Sequence, residues 1–346
     1  MSRVDVVIPC YNYGRFLSEC VSSALDDQPG SDVRVLIIDD ASPDGSAETA
    51  RKLAAADDRI EVRAHPVNAG HIATYNEGLL DWADGDYCVL ISADDRLAPG
   101  ALRRAADLMD THPEVGFVYG HAVEFRDGEE PPPAQTSCRS QTIWPGHWWL
   151  ERRFREAHTC IFSPEVVVRT SLQHQVGGYD PDLYHTGDAE MWMRLAAYAD
   201  VGYVRADQAF YRRHGGSMSG ALGDDLLRLS QVRSAYEALL ERCGAVLPNA
   251  AELSGIVHRK LAKDAMRIAA RAYDRRRTDR VAVEDLAAFA LDCWPDAASL
   301  GTYRGLQLRR RIGPALMPYL QPLIWSAVVR HLLDRWRWHR RELHGI

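Results

Sequence analysis

The sequence predicts an α/β protein: a mostly parallel, Rossmann-like sheet covered on both faces by helices, followed by a helical C-terminal region. Three observations predict it. Short β-branched runs alternate with amphipathic helical stretches over the first 120 residues. Polar and acidic residues collect just behind the strands, where parallel sheets bind ligands. From Asp224 onward apolar residues recur at helical spacing, as in Leu226, Leu229, Val232, Tyr236 and Leu239.

In order, the reading gives strand Val4 to Ile8, a helix from about Arg15 to Leu25, strand Val33 to Ile38 and a helix near Ser46 to Ala56. Strand Ile60 to Ala64, a helix near Ile72 to Ala83, strand Tyr87 to Ile91, a helix from Pro99 to Met109 and strand Val115 to Tyr119 follow. Periodicity fades from Gly120 to about Ala157, which reads as a long loop region over the site, with Trp144, Trp148 and Trp149 either stacking on a bound ligand or filling core beneath it. Strand Val166 to Arg169, a turn at 177–180, a helix around Asp188 to Ala199 and a short strand near Val201 to Val204 complete a first domain, 1–220. Residues 221–346 form a helical region with a basic tail.

The 346 residues are 46% hydrophobic and 26% charged, a globular composition. The net charge of −7 hides an asymmetry: residues 304–346 hold nine Arg against Asp334 and Glu342. The first 300 residues show no matching basic surface, so nucleic acid is not an expected partner. Seven Cys without a Cys-x-x-Cys or Cys/His cluster read as reduced, buried thiols rather than disulfides or a zinc site. The chain enters a strand after three residues, with no leader-like or membrane-spanning opening, which points to the cytoplasm.

The residues behind the strands are Pro9-Cys-Tyr-Asn12, Asp39-Asp40 and Ser92-Ala-Asp94-Asp95. Adjacent carboxylates repel unless a cation lies beside them, and hard Mg2+ or Mn2+ suits oxygen ligands completed by substrate phosphate. The competing reading of Asp94-Asp95 is a helix cap before Pro99. For Asp39-Asp40 a helix-entry turn and a nucleoside site are equally open. No Gly-x-Gly-x-x-Gly follows the first strand, which excludes a dinucleotide dehydrogenase.

Five ordered segments carry a resemblance: Val-Val-Ile-Pro-Cys-Tyr-Asn (6–12), Ile-Ile-Asp-Asp-Ala-Ser-Pro-Asp-Gly (37–45), Asn-Ala-Gly-His-Ile-Ala-Thr-Tyr-Asn-Glu-Gly (68–78), Gly-Asp-Tyr-Cys-Val-Leu-Ile-Ser-Ala-Asp-Asp (85–95) and Gly-Asp-Ala-Glu-Met-Trp-Met-Arg-Leu-Ala (187–196). Over residues 3 to 215 the chain resembles the family 2 glycosyltransferases of the GT-A fold. The resemblance implies a nucleotide-sugar region over about 3–120 and an acceptor side over 121–220. It places Pro9, Tyr11, Asn12 and Asn68 at the nucleotide, has Asp40 hydrogen-bond the base, sets Asp94 by the ribose and sugar, and makes Asp95, with Asp94, the ligand of Mn2+ or Mg2+. Asp188 matches the family's catalytic base, with Glu190 as fallback. The chemistry implied is hexosyl transfer from a nucleoside-diphosphate sugar, UDP being the expected nucleotide, to a hydroxyl of a saccharide, small-molecule or lipid-linked acceptor, with inversion.

Three departures stand out: Ser92 where many members carry Asp, Tyr75 where Arg or Lys is frequent, and Gly187 where Glu precedes the base. Ser92 and Gly187 keep open an alternative, a non-catalytic nucleotide-sugar-binding or scaffold protein. Arg212, Arg213 and His214 before a Gly-rich stretch are candidates for meeting diphosphate. In the tail, Leu316 to Leu333 is broken by Pro318, Pro322, Gln321 and Arg330 and then runs into alternating Trp and Arg. It reads as a helix packed on the protein or a second subunit, or as a peripheral contact with the inner face of a membrane.

Overall fold

The computed structural model describes residues 2–158, 161–216, 224–320 and 345. Residues 1–150 with 160–217 form one compact unit, and residues 151–159 with 218–346 another. The expected boundary at 220/221 and most of the basic tail lie outside the described residues.

The first unit carries strands β1 (Arg3–Cys10), β2 (Asp32–Asp39), β3 (Ile60–Ala64), β4 (Tyr87–Leu90), β5 (Arg96–Leu97), β6 (Val115–Arg126), β7 (Gln141–Trp144), β8 (Val167–Arg169) and β9 (Asp200–Arg213). They form one sheet in the order β3-β2-β1-β4-β8-β6-β9-β5, with β7 added on β9. The β3-β2-β1-β4 part is wholly parallel, β6 and β9 are also parallel, and β8, β5 and β7 join antiparallel. Val4, Val6, Val7, Ile8, Leu36, Ile37 and Ile38 are all inaccessible. Such unbroken apolar runs are what a strand needs when helices cover both faces.

Helices α1 (Gly14–Leu25), α2 (Ser46–Ala56), α3 (His71–Asn76, continued by a π-helical turn over Glu77–Trp82) and α4 (Ala101–Thr111) follow the strands as expected. Gly78 in the π turn sits where a Cβ would lie 2.2 Å from Val7 Cγ1, so only glycine lets this segment pack on β1. Because the chain runs outward from β1 to β3 and then returns to β4, a crevice opens beyond the carboxyl ends of β1 and β4.

The expected loop over 120–157 is largely regular. β6 continues to Arg126, β7 spans 141–144 and α5 spans Gly146–Glu156. The alternation is real, with Phe125 buried between exposed Glu124 and Arg126, but one large apolar residue amid charges leaves a weak pattern. Trp149 fills core, its ring edge-on to Phe117 and its Nε1 donating to the Tyr119 hydroxyl at 3.3 Å, while half-exposed Trp148 stacks on Trp144. Helices α6 (Thr170–Val176) and α7 (Gly187–Ala196) complete this unit, and the strand expected over 201–204 extends through 213 as β9. Among the described cysteines Cys138 is exposed, against the expectation of burial, and the other five are buried.

The second unit contains α8 (Asp225–Cys243), α9 (Ala250–Asp274), α10 (Val283–Cys293) and α11 (Gly301–Ile312). Its core is the apolar stripe Val257, Leu261, Ala265, Met266 and Ala269 of α9, which packs against the other three helices. Buried Arg309 forks onto Asp274 at 2.7 and 3.1 Å, tying α11 to α9. No described helix is long and apolar enough to cross a membrane.

Candidate active site

Two non-glycine residues with left-handed backbones mark the rim of the crevice: Asn12 (φ 61°) behind β1 and Ala41 (φ 58°) behind β2. Asn tolerates this conformation, whereas for Ala it costs about 1 kcal/mol, held in place by the surrounding structure. Asn12 N–H donates to Ser42 Oγ at 3.0 Å, joining the two loops. Tyr11 beside it is exposed and Pro9 half-buried, so all three expected nucleotide contacts sit at this rim.

The Asp39-Asp40 pair is divided by the pleat. Asp40 accepts from Ala69 N at 2.7 Å, Gly70 N at 2.9 Å and His65 Nδ1 at 2.7 Å, and its carbonyl accepts from Asn68 Nδ2 at 3.1 Å. These bonds commit Asp40 and Asn68 to shaping the 68–70 loop. Expected to bind the base, Asp40 instead has its carboxylate occupied by the protein. Asp39 Oδ1, by contrast, is buried without a hydrogen-bond partner, while Oδ2 accepts from Ser42 N at 3.3 Å. A free carboxylate oxygen among backbone groups is what a nucleobase N–H needs. Sequence reading could not choose between neighbours that differ only in which face of the chain they occupy.

Behind β4, Asp94 and Asp95 are both nearly buried. Asp95 Oδ1 accepts from Arg212 N at 2.9 Å, and Asp94 Oδ2 pairs with His214 Nε2 at 2.8 Å. Burial, followed by the charge of Asp94, pushes the Asp95 carboxyl well above the usual range, with Arg212 opposing. The second oxygen of each carboxylate has no hydrogen bond among the described residues. Hard oxygens on two adjacent carboxylates, neither spent on a protein hydrogen bond, are the donor type that a divalent cation completed by phosphate and water takes. Among the described residues no cluster of three or more His, Cys, Asp or Glu could hold a metal by itself.

Arg212 and Arg213 part ways on β9 because successive side chains point to opposite faces. Arg213 is exposed and forks onto Glu124 at 3.0 Å through both contacts, so it stands apart from the diphosphate role expected of it. Arg212 is buried, sandwiched between Phe16 and Phe125 with its guanidinium carbon 4.5 and 4.6 Å from the ring centroids. Its Nε donates to the Asp94 carbonyl at 2.8 Å, and its other nitrogens meet Asp127 at 3.2 Å and Glu19 at 2.5 Å. His214 shares this face, edge-on to Tyr13.

Asp188 occupies the first turn of α7, half-buried. Burial raises its carboxyl to about 6, against a hydrogen bond from the Tyr179 hydroxyl that lowers it. The Tyr179 backbone is held from both sides by Asn76, which donates to its carbonyl at 2.9 Å and accepts from its N–H at 2.6 Å. Tyr75 packs edge-on to Tyr179, and its hydroxyl is raised by burial and then by Asp188, Asp94 and Asp95 in turn. The tyrosine that stands where a cation was expected is thus within electrostatic reach of all three carboxylates. Gly187 also has a physical reason: a Cβ there would lie 3.2 Å from Tyr179 Cδ1. Glu190, the fallback base, is fully buried in a 2.9 Å ion pair with Arg194. Arg194 in turn donates to the carbonyls of Val176 and Gly178, so Glu190 braces the turn that carries Tyr179 and is closed to an acceptor.

Residues 5–170, which bring together the rim, both acidic pairs and Tyr75, match the model of the family described as Glycosyl transferase family 2. They are a family 2 glycosyltransferase domain. An uncharacterised glycosyltransferase of Nostoc sp. is 32% identical over 142 residues, 41% of this chain and 42% of that protein. The chain thus spans less than half of that relative's length. Among solved structures, Staphylococcus aureus TarS residues 1–349 with UDP-GlcNAc superposes with a TM-score of 0.63 at 15% identity, covering 94% of this chain and 92% of that 1–349 chain. A mannosyltransferase from Pyrobaculum calidifontis, in complex with GDP-Man and Mn2+, gives 0.53 at 16% identity, covering 99% and 88%. At such identities the family 2 domain and these structures share a fold, the GT-A fold.

Proposed function

We propose that this family 2 domain transfers a hexosyl group from a nucleoside-diphosphate sugar to an acceptor hydroxyl, with inversion. One observation carries the reading: Asp188, its carboxyl raised to about 6, lies near enough to Tyr75 to act on its hydroxyl, as do Asp94 and Asp95. A base that is ionised at neutral pH yet still basic is what proton abstraction from a hydroxyl requires. The UDP-GlcNAc and GDP-Man complexes of the structural neighbours support a nucleotide-sugar donor, and the Mn2+ of the second supports a divalent cation.

In this reading Asp39 accepts from the base and the 68–70 loop, set by Asp40, lines the nucleotide. Asp94 and Asp95 hold the cation, which when bound neutralises charge on the departing diphosphate. Arg212 fixes Asp94 and Asp95 from behind, and His214 orients Asp94. Asp188 takes the acceptor's proton as the acceptor oxygen bonds to the anomeric carbon from the face opposite the leaving group, and the carbon–oxygen bond to the diphosphate breaks.

The test is thermal stabilisation by UDP, GDP and dTDP, each with and without Mn2+, followed by turnover with the sugar of the stabilising nucleotide. Binding raises apparent stability by mass action, about 2.7 kcal/mol at one hundred times Kd. A metal-dependent shift with one nucleotide is expected. No shift with any of them removes the donor-site reading.

A further inference from the structure

Helix α9 presents two rows of residues spaced by four. The buried row is Val257, Leu261, Ala265 and Ala269. The second is Arg259, Lys263, Arg267 and Arg271, continued by Arg275 at the C-cap. Residues four apart follow one ridge of a helix. At 3.6 residues per turn this ridge stands roughly opposite the buried row. Arg259, Arg271 and Arg275 are exposed, and Lys263 and Arg267 are half-buried.

The described residues leave most of the ridge unneutralised. Arg267 pairs with Asp264 at 3.1 Å, and Asp264 also serves Lys260. Among the described residues Arg259, Lys263, Arg271 and Arg275 have no ion-pair partner. Residues 259–280 hold nine cations against three carboxylates in a chain whose net charge is −7. Lys263 registers the crowding: burial first, then Arg259 and Arg267, hold its ammonium below the usual lysine range. Like charges four apart weaken a helix rather than support it. The helix dipole favours cations only in the last turn, which accounts for Arg271 but not for Arg259 or Lys263.

We propose that this ridge is a docking surface for a linear polyanion without nucleobases, a chain that carries a phosphate in every repeating unit. Its cations step along one line at about 6 Å, a spacing suited to successive phosphates on an extended chain, and several weak contacts on one strand add through effective concentration. A membrane surface fits less well, because no large apolar residue of α9 is exposed to enter the headgroup layer. A nucleic acid also fits less well, since α9 exposes no aromatic ring on which bases would stack. The surface is defined by α9 alone and does not depend on the proposed transfer reaction.

The experiment measures anisotropy of end-labelled inorganic polyphosphate with the full chain, over a range of salt concentrations. The wild type is expected to bind, with affinity falling steeply as salt rises. The variant Arg259→Ala/Lys263→Ala/Arg271→Ala is expected to bind at least tenfold more weakly, with a shallower salt dependence and a melting temperature at or above that of the wild type. The control Lys52→Ala/Arg103→Ala/Arg155→Ala loses the same charge elsewhere and is expected to bind like the wild type. The proposal is overturned if the ridge variant binds as tightly as the wild type or if both variants weaken alike. It is also overturned if phosphatidylglycerol vesicles or oligothymidylate displace the probe more effectively per phosphate than unlabelled polyphosphate does.

Discussion

Replacing Asp188 by Asn should impair transfer and stabilise the fold at the same time. The carboxyl is raised from 3.8 to about 6, chiefly by burial. Each pKa step is worth 1.36 kcal/mol, so holding the ionised group in this site costs about 3 kcal/mol at pH 7. The sign follows from proton linkage: between pH 3.8 and 6 the folded state binds the proton more tightly, so stability falls as pH rises through that window and stays lower above it. Asp188→Asn should therefore raise the melting temperature at pH 7, and the gain should vanish by about pH 4. In the proposed mechanism the same carboxylate sets activity. With a pKa near 6, about a tenth of the protein has an ionised base at pH 5 and about nine tenths at pH 7, so kcat/KM should rise roughly tenfold across that range. Asp188→Asn should lower kcat by about 100 to 10,000-fold. Urea unfolding at pH 4 to 8 and a pH profile of initial rates read both effects. A variant with wild-type turnover, or one whose stability advantage is absent at pH 7, refutes the assignment.

Arg212→Ala should cost about 2 to 5 kcal/mol, because it empties a buried site between Phe16 and Phe125 and leaves the Asp94 carbonyl without its donor. Arg213→Ala, which removes an exposed pair with Glu124, should cost no more than about 1 kcal/mol; equal losses in thermal melts would contradict the two-face reading of β9. Asp95→Asn should abolish the Mn2+ dependence of nucleotide-induced stabilisation, and a retained dependence would remove Asp95 from the cation. At His65, burial lowers the pKa but hydrogen bonds to Asp40 and Glu77 outweigh it and raise it. The stabilisation from that raised pKa is complete below about 6.5 and is lost as pH rises through the folded value. His65→Ala should accordingly destabilise more at pH 6 than at pH 9, as read by chemical denaturation.

The strand-helix alternation and the places of Pro9, Asn12, Asp39-Asp40 and Asp94-Asp95 behind strands were legible in the sequence, because apolar periodicity and the residues ending parallel strands are local properties of the chain, whereas Asp188 was reached only through the family resemblance. Local pattern also carried the helices of the second unit. The 121–157 segment was not legible: β6 and β9 stabilise each other over a long parallel ladder, and such pairing leaves little trace in either strand alone. The roles within each pair of neighbours were likewise decided only by the tertiary structure. Asp39 and Asp40 differ by which one the 68–70 loop occupies, Arg212 and Arg213 by the face of β9 on which each falls, and Asp188 and Glu190 by the helix face that meets Arg194. The sequence alone determined which chemical groups reach the crevice, since composition at strand ends sets that directly. Only the tertiary structure decided which of those groups keep a free oxygen, because hydrogen bonding and burial are set by residues distant in the chain.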